Sequence, residues 1–443
     1  MGRKSHEPGK PNDLLRQERE KRGLSQARLA ELIGAASSMI SRWERGARGT
    51  EPFYQEKLCE LFGKDAVELG LTSSVKQEGH EVSYADRKVV MRMQDSEEAT
   101  LAPARFLTME PEALIERYSS EKDKLVELNI GTIAWTIPEV VIFDNSKLHL
   151  PVTAIEVQQD TSSPEYVIPT KIAGKAEDIL EKIGHHFYDS TTIRLTGIES
   201  NDHGITLTVS KARFMQYVAT NYAMDAMLKE KGWTRSLRDI VHPTTHLCRL
   251  EESLLCNHIG VGALVFTSDN YLVIPFRSNA NIATWRQTIS PSISGATCYD
   301  DDMWNFRTGP VASWMREGRE ELGLENKDFV EGSDTFFGLT RDLLRGGKPE
   351  MFFAVRVNLT RTQLEQRFSK AKDKQENKEL RWFEFTDPLT PPTGKRGQAV
   401  FLQEFLDLVD ACQDELSRPA QVNFALWFKY LSSYNLSNSY LSS

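Results

Sequence analysis

Three glutamates carry the most specific chemical signal in this chain. Glu317, Glu320 and Glu321 fall within Arg316-Glu317-Gly318-Arg319-Glu320-Glu321-Leu322-Gly323-Leu324. Their spacing of i, i+3 and i+4 puts them on one face of a helix. The apolar pattern predicts that helix over 311–322, with Gly323 stopping it. Two of the acids then sit in the last turn, where the helix dipole disfavours anions. Arg316 and Arg319 offset this only in part. A divalent cation beside the carboxylates resolves the conflict. Mg2+, with Mn2+ as the alternative, takes hard oxygen ligands and bridges substrate phosphates. It also activates water for attack on phosphorus.

The elements that must position this helix lie on either side. Upstream, strands are expected at 261–266 and 272–276 around a Ser268-Asp269-Asn270 hairpin turn. A serine-rich turn, SPSISG, follows and ends at Gly295. Downstream, Trp382 to Phe385 reads as a strand. Beyond Pro388, two amphipathic helices are expected at 399–416 and 421–431. Arg277, Arg286, Arg341 and Arg345 are candidates for phosphate contacts, and Glu376 or Glu379 for a further carboxylate. Asp342 to Gly347 reads as a loop near the site.

The nine-residue string resembles the second half of the signature box of the Nudix (MutT-type) hydrolase family, and the likeness spans roughly 260–385. The resemblance implies an α/β/α sandwich. It also implies that Arg316 orients the first glutamate, and that Glu317, Glu320 and Glu321 are metal and general-base carboxylates. The first half of the box departs from the pattern. Thr308 stands at the glutamate position and Asp302 at the glycine position, and the interval from Gly295 to Arg316 is long. Asp300, Asp301 and Asp302 could replace the missing acid, or that loop is an insertion.

The N-terminal sixty residues read as short helices with their own punctuation. Helices are expected at 13–21, closed by Gly23, at 26–33 with Ser25 as N-cap, at 37–45, and at 54–62 closed by Gly63. Two short helices around a turn at Gly34 have helix-turn-helix geometry. The string Leu24-Ser25-Gln26-x-x-Leu29-Ala30, with Gly34, Ile40 and Trp43-Glu44-x-Gly46, resembles the λ-repressor/Cro (XRE) type of DNA-binding module. That resemblance implies that Gln26 bonds a DNA phosphate, and that Ser37, Ser38, Ser41 and Arg42 face the major groove of double-stranded DNA. Arg45 and Arg48 would touch phosphates. Such modules usually bind as homodimers, although no dimerisation element is evident in the sequence.

Charge distribution agrees with a polyanion partner at the head. Residues 1–50 hold 11 Lys/Arg and 6 Asp/Glu, whereas the whole chain of 443 residues has net charge −9. Five widely spaced cysteines without a CxxC pair support neither a disulfide framework nor a zinc site. No apolar run of membrane-spanning length and no secretory leader is found, so a cytoplasmic protein is expected. His185-His186 and His242/His246 lack Cys or carboxylate companions at ligand spacing.

The expected organisation is therefore multidomain. An all-α helix-turn-helix domain at 10–71 and a polar linker at 72–104 precede an α+β segment of unassigned role at 105–250. A Nudix-like domain at 251–387 and C-terminal helices with a tail at 388–443 complete it. The expected function is Mg2+-dependent hydrolysis of a nucleoside diphosphate linked to another group, with a nucleotide or sugar nucleotide as ligand, coupled to transcriptional regulation. The alternative is a Nudix-type ligand sensor that does not cleave.

Overall fold

The computed structural model describes residues 12–33, 37–45, 50, 52–64, 68–71, 109–184, 187, 189–278, 287–299 and 309–439. The chain divides into two compact units, 1–90 and 91–443. The linker expected at 72–104 lies outside the described residues.

The first unit holds α1 (Asp13–Lys21), α2 (Gln26–Ile33), α3 (Ser37–Glu44) and α4 (Pro52–Phe62). Asn12 caps α1 by accepting from the Leu15 N–H, and Ser25 caps α2 by accepting from the Arg28 N–H. Gly23 and Gly63 adopt positive φ where the chain leaves α1 and α4, a conformation that costs glycine little. Leu15, Leu29, Ala30, Ile33, Ile40, Trp43, Leu58 and Phe62 form one apolar core. The turn at Gly34 lies outside the described residues.

The second unit is built on a mixed sheet in the order β1-β2-β9-β10-β6-β7-β11, with β8 pairing β6. Its strands are β1 (Leu125–Ile130), β2 (Ile133–Asp144), β6 (Gly260–Phe266), β7 (Tyr271–Arg277), β8 (Ile293–Ala296), β9 (Thr335–Asp342), β10 (Lys348–Arg356) and β11 (Asn377–Glu384). β6 and β10 run parallel at the centre, and their other neighbours are antiparallel. A second, three-stranded sheet has the order β3-β5-β4, from β3 (Ile155–Gln159), β4 (Thr191–Asn201) and β5 (Gly204–Arg213).

Helices cover both faces of the large sheet. On one face Leu264, Phe266, Phe352 and Ala354 pack against Phe401, Phe405, Trp427 and Tyr430 of the C-terminal helices Gly394–Cys412 and Arg418–Ser439. On the other, Val261, Ala263, Met351 and Phe353 pack with Trp314 and Leu322 of the helix Gly309–Leu322. Residues 105–250 do not stand apart from 251–387. β1 and β2 extend the same sheet through the pairing of β2 with β9, in which Val141 opposes Thr340.

Gly131 turns the chain at φ 54° between β1 and β2, so the apolar stretch 126–135 spans two strands. The aromatic-rich stretch after β5 forms a short helix Phe214–Tyr217 and a wide turn Val218–Tyr222. Within that turn the Thr220 side chain donates to the Gln216 carbonyl, and Asn221 is tied to Asn257 and the Arg345 carbonyl. The two long-range bonds of Asn221 outweigh local helix propensity.

Candidate functional site

The helix Gly309–Leu322 carries the glutamate string to the edge of a cleft of about 260 Å³. The cleft is lined by Glu317 and Glu321 from that helix, Ser294 to Ala296 from β8, and Arg277 at the end of β7. Glu376, just before β11, contributes a third carboxylate. Gly318 lies where the helix meets the Ile293 side chain, and a Cβ there would come within 2.9 Å of it. A glycine in this helix, at a cost of about 1 kcal/mol, thus permits close packing on β8.

The three glutamates of the string do not point the same way. Successive residues of a helix turn by about 100°, so Glu320 and Glu321 diverge although both neighbour Glu317. Glu320 accepts from Arg316 Nη1 at 2.8 Å and from Lys372 Nζ at 2.7 Å, and does not line the cleft. Glu317 Oε1 accepts from Arg316 Nη2 at 2.6 Å. Glu321 Oε2 accepts from the Ser294 N–H at 3.2 Å, and its Oε1 lies 3.5 Å from Arg277 Nη2. Arg277 Nη2 is also 4.0 Å from Glu376.

Burial and mutual repulsion hold these carboxyls away from their ordinary behaviour. Burial raises Glu317 to about 7, against the lowering pull of Arg316, and Glu320 and Glu376 raise it further. Burial likewise lifts Glu321 well above the usual carboxylate range, with Arg277 opposing and Glu317 and Glu376 adding. Glu376 is raised chiefly by burial. Burial also raises Glu320, but Lys372 and Arg316 outweigh it and leave that carboxyl below its ordinary value. The cleft thus gathers two acids from one helix and one from a neighbouring loop, each costly to ionise together without a cation.

The donor chemistry suits a hard divalent cation, and Gly295 leaves room for the Glu317 carboxylate where any Cβ would overlap it. Among the described residues, however, no group of three His, Cys, Asp or Glu is already drawn close enough to hold a metal ion. Arg277 and Arg316 stand beside the carboxylates instead. Thr308 and the acids Asp300, Asp301 and Asp302 lie outside the described residues, as does Arg286.

Of the other candidates, Arg345 lines the cleft and Arg341 does not. Arg341 is buried and donates to the carbonyls of Gly347 and Cys248. Glu379 pairs with Arg381 on the surface. His242 bonds Tyr118 at 2.6 Å and approaches Cys248 Sγ at 3.2 Å, and burial lowers its pKa to about 3, so the ring is neutral near pH 7. His185 and His186 lie outside the described residues. The sequence reading missed Lys348, Glu350 and His258, which also line the cleft. The available signal was two charges at alternate positions at the start of β10, ahead of its apolar run from Met351 to Val355.

In the first unit, Gln26 Nε2 donates to Glu44 Oε2 at 2.7 Å, and Glu44 also takes a buried ion pair from Arg19 at 2.6 Å. The expected phosphate contact of Gln26 thus starts from a side chain already fixed in place. Ser41 is half-buried, and its carbonyl accepts from Arg45 Nε at 3.1 Å; Arg45 is exposed. The side chains of Ser37, Ser38 and Arg42, and the whole of Arg48, lie outside the described residues.

Among the described residues no helix is long and apolar enough to cross a membrane. No curated protein matches the chain. Among solved structures it is similar to DR0079 from Deinococcus radiodurans, at 17% identity and a TM-score of 0.23, over 38% of this chain and 80% of that one. Residues 13–70 match the family model of a helix-turn-helix domain. The N-terminal unit therefore carries a helix-turn-helix domain, which supports a DNA-binding regulatory role.

Proposed function

We propose that this chain couples an XRE-type DNA-binding head to a Nudix-type hydrolase of nucleoside diphosphates linked to a second group. The observation that carries the enzymatic half is the convergence of Glu317, Glu321 and Glu376 on one cleft, with Arg277 among them. Mg2+ or Mn2+ held by these carboxylates would neutralise them and lower the pKa of a bound water.

The protein's own residues supply the remaining parts. Arg316 fixes Glu317 through Oε1, which leaves Oε2 to accept a proton from the attacking water. Without a cation burial raises Glu317 to about 7, above an ordinary carboxylate, and a cation held beside it would lower that value. The Ser294 N–H and Arg277 orient Glu321. Glu320 acts indirectly, by holding Arg316 beside Glu317. Water oxygen bonds to phosphorus, the bridging P–O bond breaks, and the leaving phosphate departs with a proton. A nucleotide or sugar nucleotide is the ligand class, and the head would bind double-stranded DNA as a homodimer.

The test is release of mononucleotide or sugar phosphate from a panel of dinucleotides and sugar nucleotides with Mg2+ or Mn2+. Turnover is expected from the full chain. Its absence across the panel, together with ligand-dependent DNA affinity, would favour the sensing alternative. The arginines already placed against Glu317 and Glu321 support that second reading, because they leave the acids partly neutralised without a metal.

A further inference from the structure

A second set of charges lines the same cleft, and the carboxylate chemistry makes no use of it. Lys348 and Glu350 lie two residues apart on β10, and so share a face. The next residues on that face, Phe352 and Ala354, belong to the apolar core under the C-terminal helices. Lys348 Nζ donates to Glu350 Oε1 at 2.6 Å, and Arg345 Nη2 donates to the same oxygen at 2.5 Å. Arg345 Nε donates to Asp342 at 2.5 Å. All four side chains are buried. Desolvating so many ions offsets what their pairing returns, so such a network is a poor way to stabilise a sheet.

The ammonium is also under-used. It has three donors, and among the described residues Glu350 is its one acceptor. Gly260 of β6 sits opposite Glu350 in the parallel register. A Cβ at Gly260 would overlap Lys348 Nζ and come within 2.6 Å of Glu350 Oε2. The glycine therefore keeps the space around the ammonium clear. On another side Nζ lies 6.0 Å from the Tyr217 ring centre. His258 stacks on Tyr217 with ring centres 4.1 Å apart, and Phe214 packs on His258 at 5.7 Å. Burial, then Lys348 and Arg345, keep His258 neutral. Among the described residues Glu350 is the carboxylate hydrogen-bonded to Lys348, and Asp342 acts on its charge without a bond.

We propose that Lys348 is an anion-binding residue of this cleft, its ammonium seated by Glu350 and left accessible by Gly260 to take a phosphoryl oxygen of the ligand. The proposal rests on the reading of the cleft as a phosphoanhydride site, but not on cation binding or on turnover.

Inorganic pyrophosphate is the probe, titrated calorimetrically into the full chain in the presence of a chelator. The unmodified protein should bind, and Lys348→Met should weaken binding by about tenfold or more. Gly260→Ala keeps the charge but crowds the ammonium, and should weaken binding in the same direction. It carries the test if Lys348→Met fails to fold. Substitution of a surface lysine, Lys327→Met, should leave affinity unchanged. Pyrophosphate binding that is absent from the unmodified protein, or equal in folded Lys348→Met and Gly260→Ala, overturns the proposal. A Lys348 effect that persists while Mg2+ adds nothing to the affinity upholds this proposal and sinks the cation-dependent reading alone.

Discussion

Gly295 of β8 lies directly against the carboxylate of Glu317, so closely that any side chain at position 295 would overlap Glu317 Oε1, Cδ and Cγ. The strand and the helix meet only because one of the two residues is glycine. Gly295→Ala should push Glu317 out of the cleft and lower turnover by about a hundredfold, the scale of a misplacement near 1 Å. Steady-state rates beside a circular-dichroism melt would separate misplacement from unfolding. A fully active variant would show that Glu317 need not stay where it is.

In the absence of a cation, burial raises the Glu321 carboxyl well above its usual range and so favours its neutral form, with Arg277 opposing. Glutamine mimics that neutral form in shape and hydrogen bonding. Glu321→Gln should therefore melt at or above the temperature of the unmodified chain at pH 7, while turnover falls by at least about a thousandfold. A large loss of stability would assign Glu321 an ionised, structural role instead.

The pH dependence of stability follows from the same shifts. A carboxyl whose folded pKa is raised stabilises the fold fully below its unfolded value, and that contribution is lost as pH rises to the folded value. For Glu317 the window runs from 4.5 to about 7, and Glu321 contributes in the same direction. Glu139, raised to about 8 by burial and by Asp342 and Glu350, adds a loss that no cation at Glu317 would relieve. On the proposed reading Mg2+ would bind the ionised acids, so it should raise the melting temperature at pH 8 and have little effect at pH 5. Melts of the full chain at both pH values check this, and an equal Mg2+ effect at both would count against the carboxylate site.

In the DNA-binding head, Glu44 holds both Arg19 and Gln26. Glu44→Ala would remove the closest partner of the buried Arg19 and leave it Glu20 at 3.4 Å and the Leu24 carbonyl, at a cost of about 3 kcal/mol. The expected outcome is loss of the helix-turn-helix melting transition. Arg45→Ala, at an exposed position, should instead leave the fold intact. It should weaken binding alike on all DNA sequences and lower the salt dependence by about one ion. Fluorescence anisotropy across a salt series would distinguish the two substitutions.

What could be read from the sequence was local. The string from Ser25 to Trp43 carries its own capping residue and apolar spacing, so its helices were visible without the fold. Val311 to Gly323 was legible for the same reason, and the helix begins only two residues earlier, at Gly309. What escaped was non-local. No pattern within 125–144 reveals that β2 pairs β9 some two hundred positions away. The divergence of Glu320 was equally hidden, because a shared helix face says nothing of which side the cleft lies on. Lys348 became visible as a candidate only once β6 brought Gly260 beside it.

The account stands most directly on a calorimetric titration of Mn2+ into the full chain at pH 7.5, repeated with Glu317→Gln and Glu321→Gln. One saturable site per chain is expected, with each substitution weakening it by about tenfold or more. The absence of a saturable site, or equal affinity in all three proteins, would contradict the claim that these carboxylates gather to hold a cation.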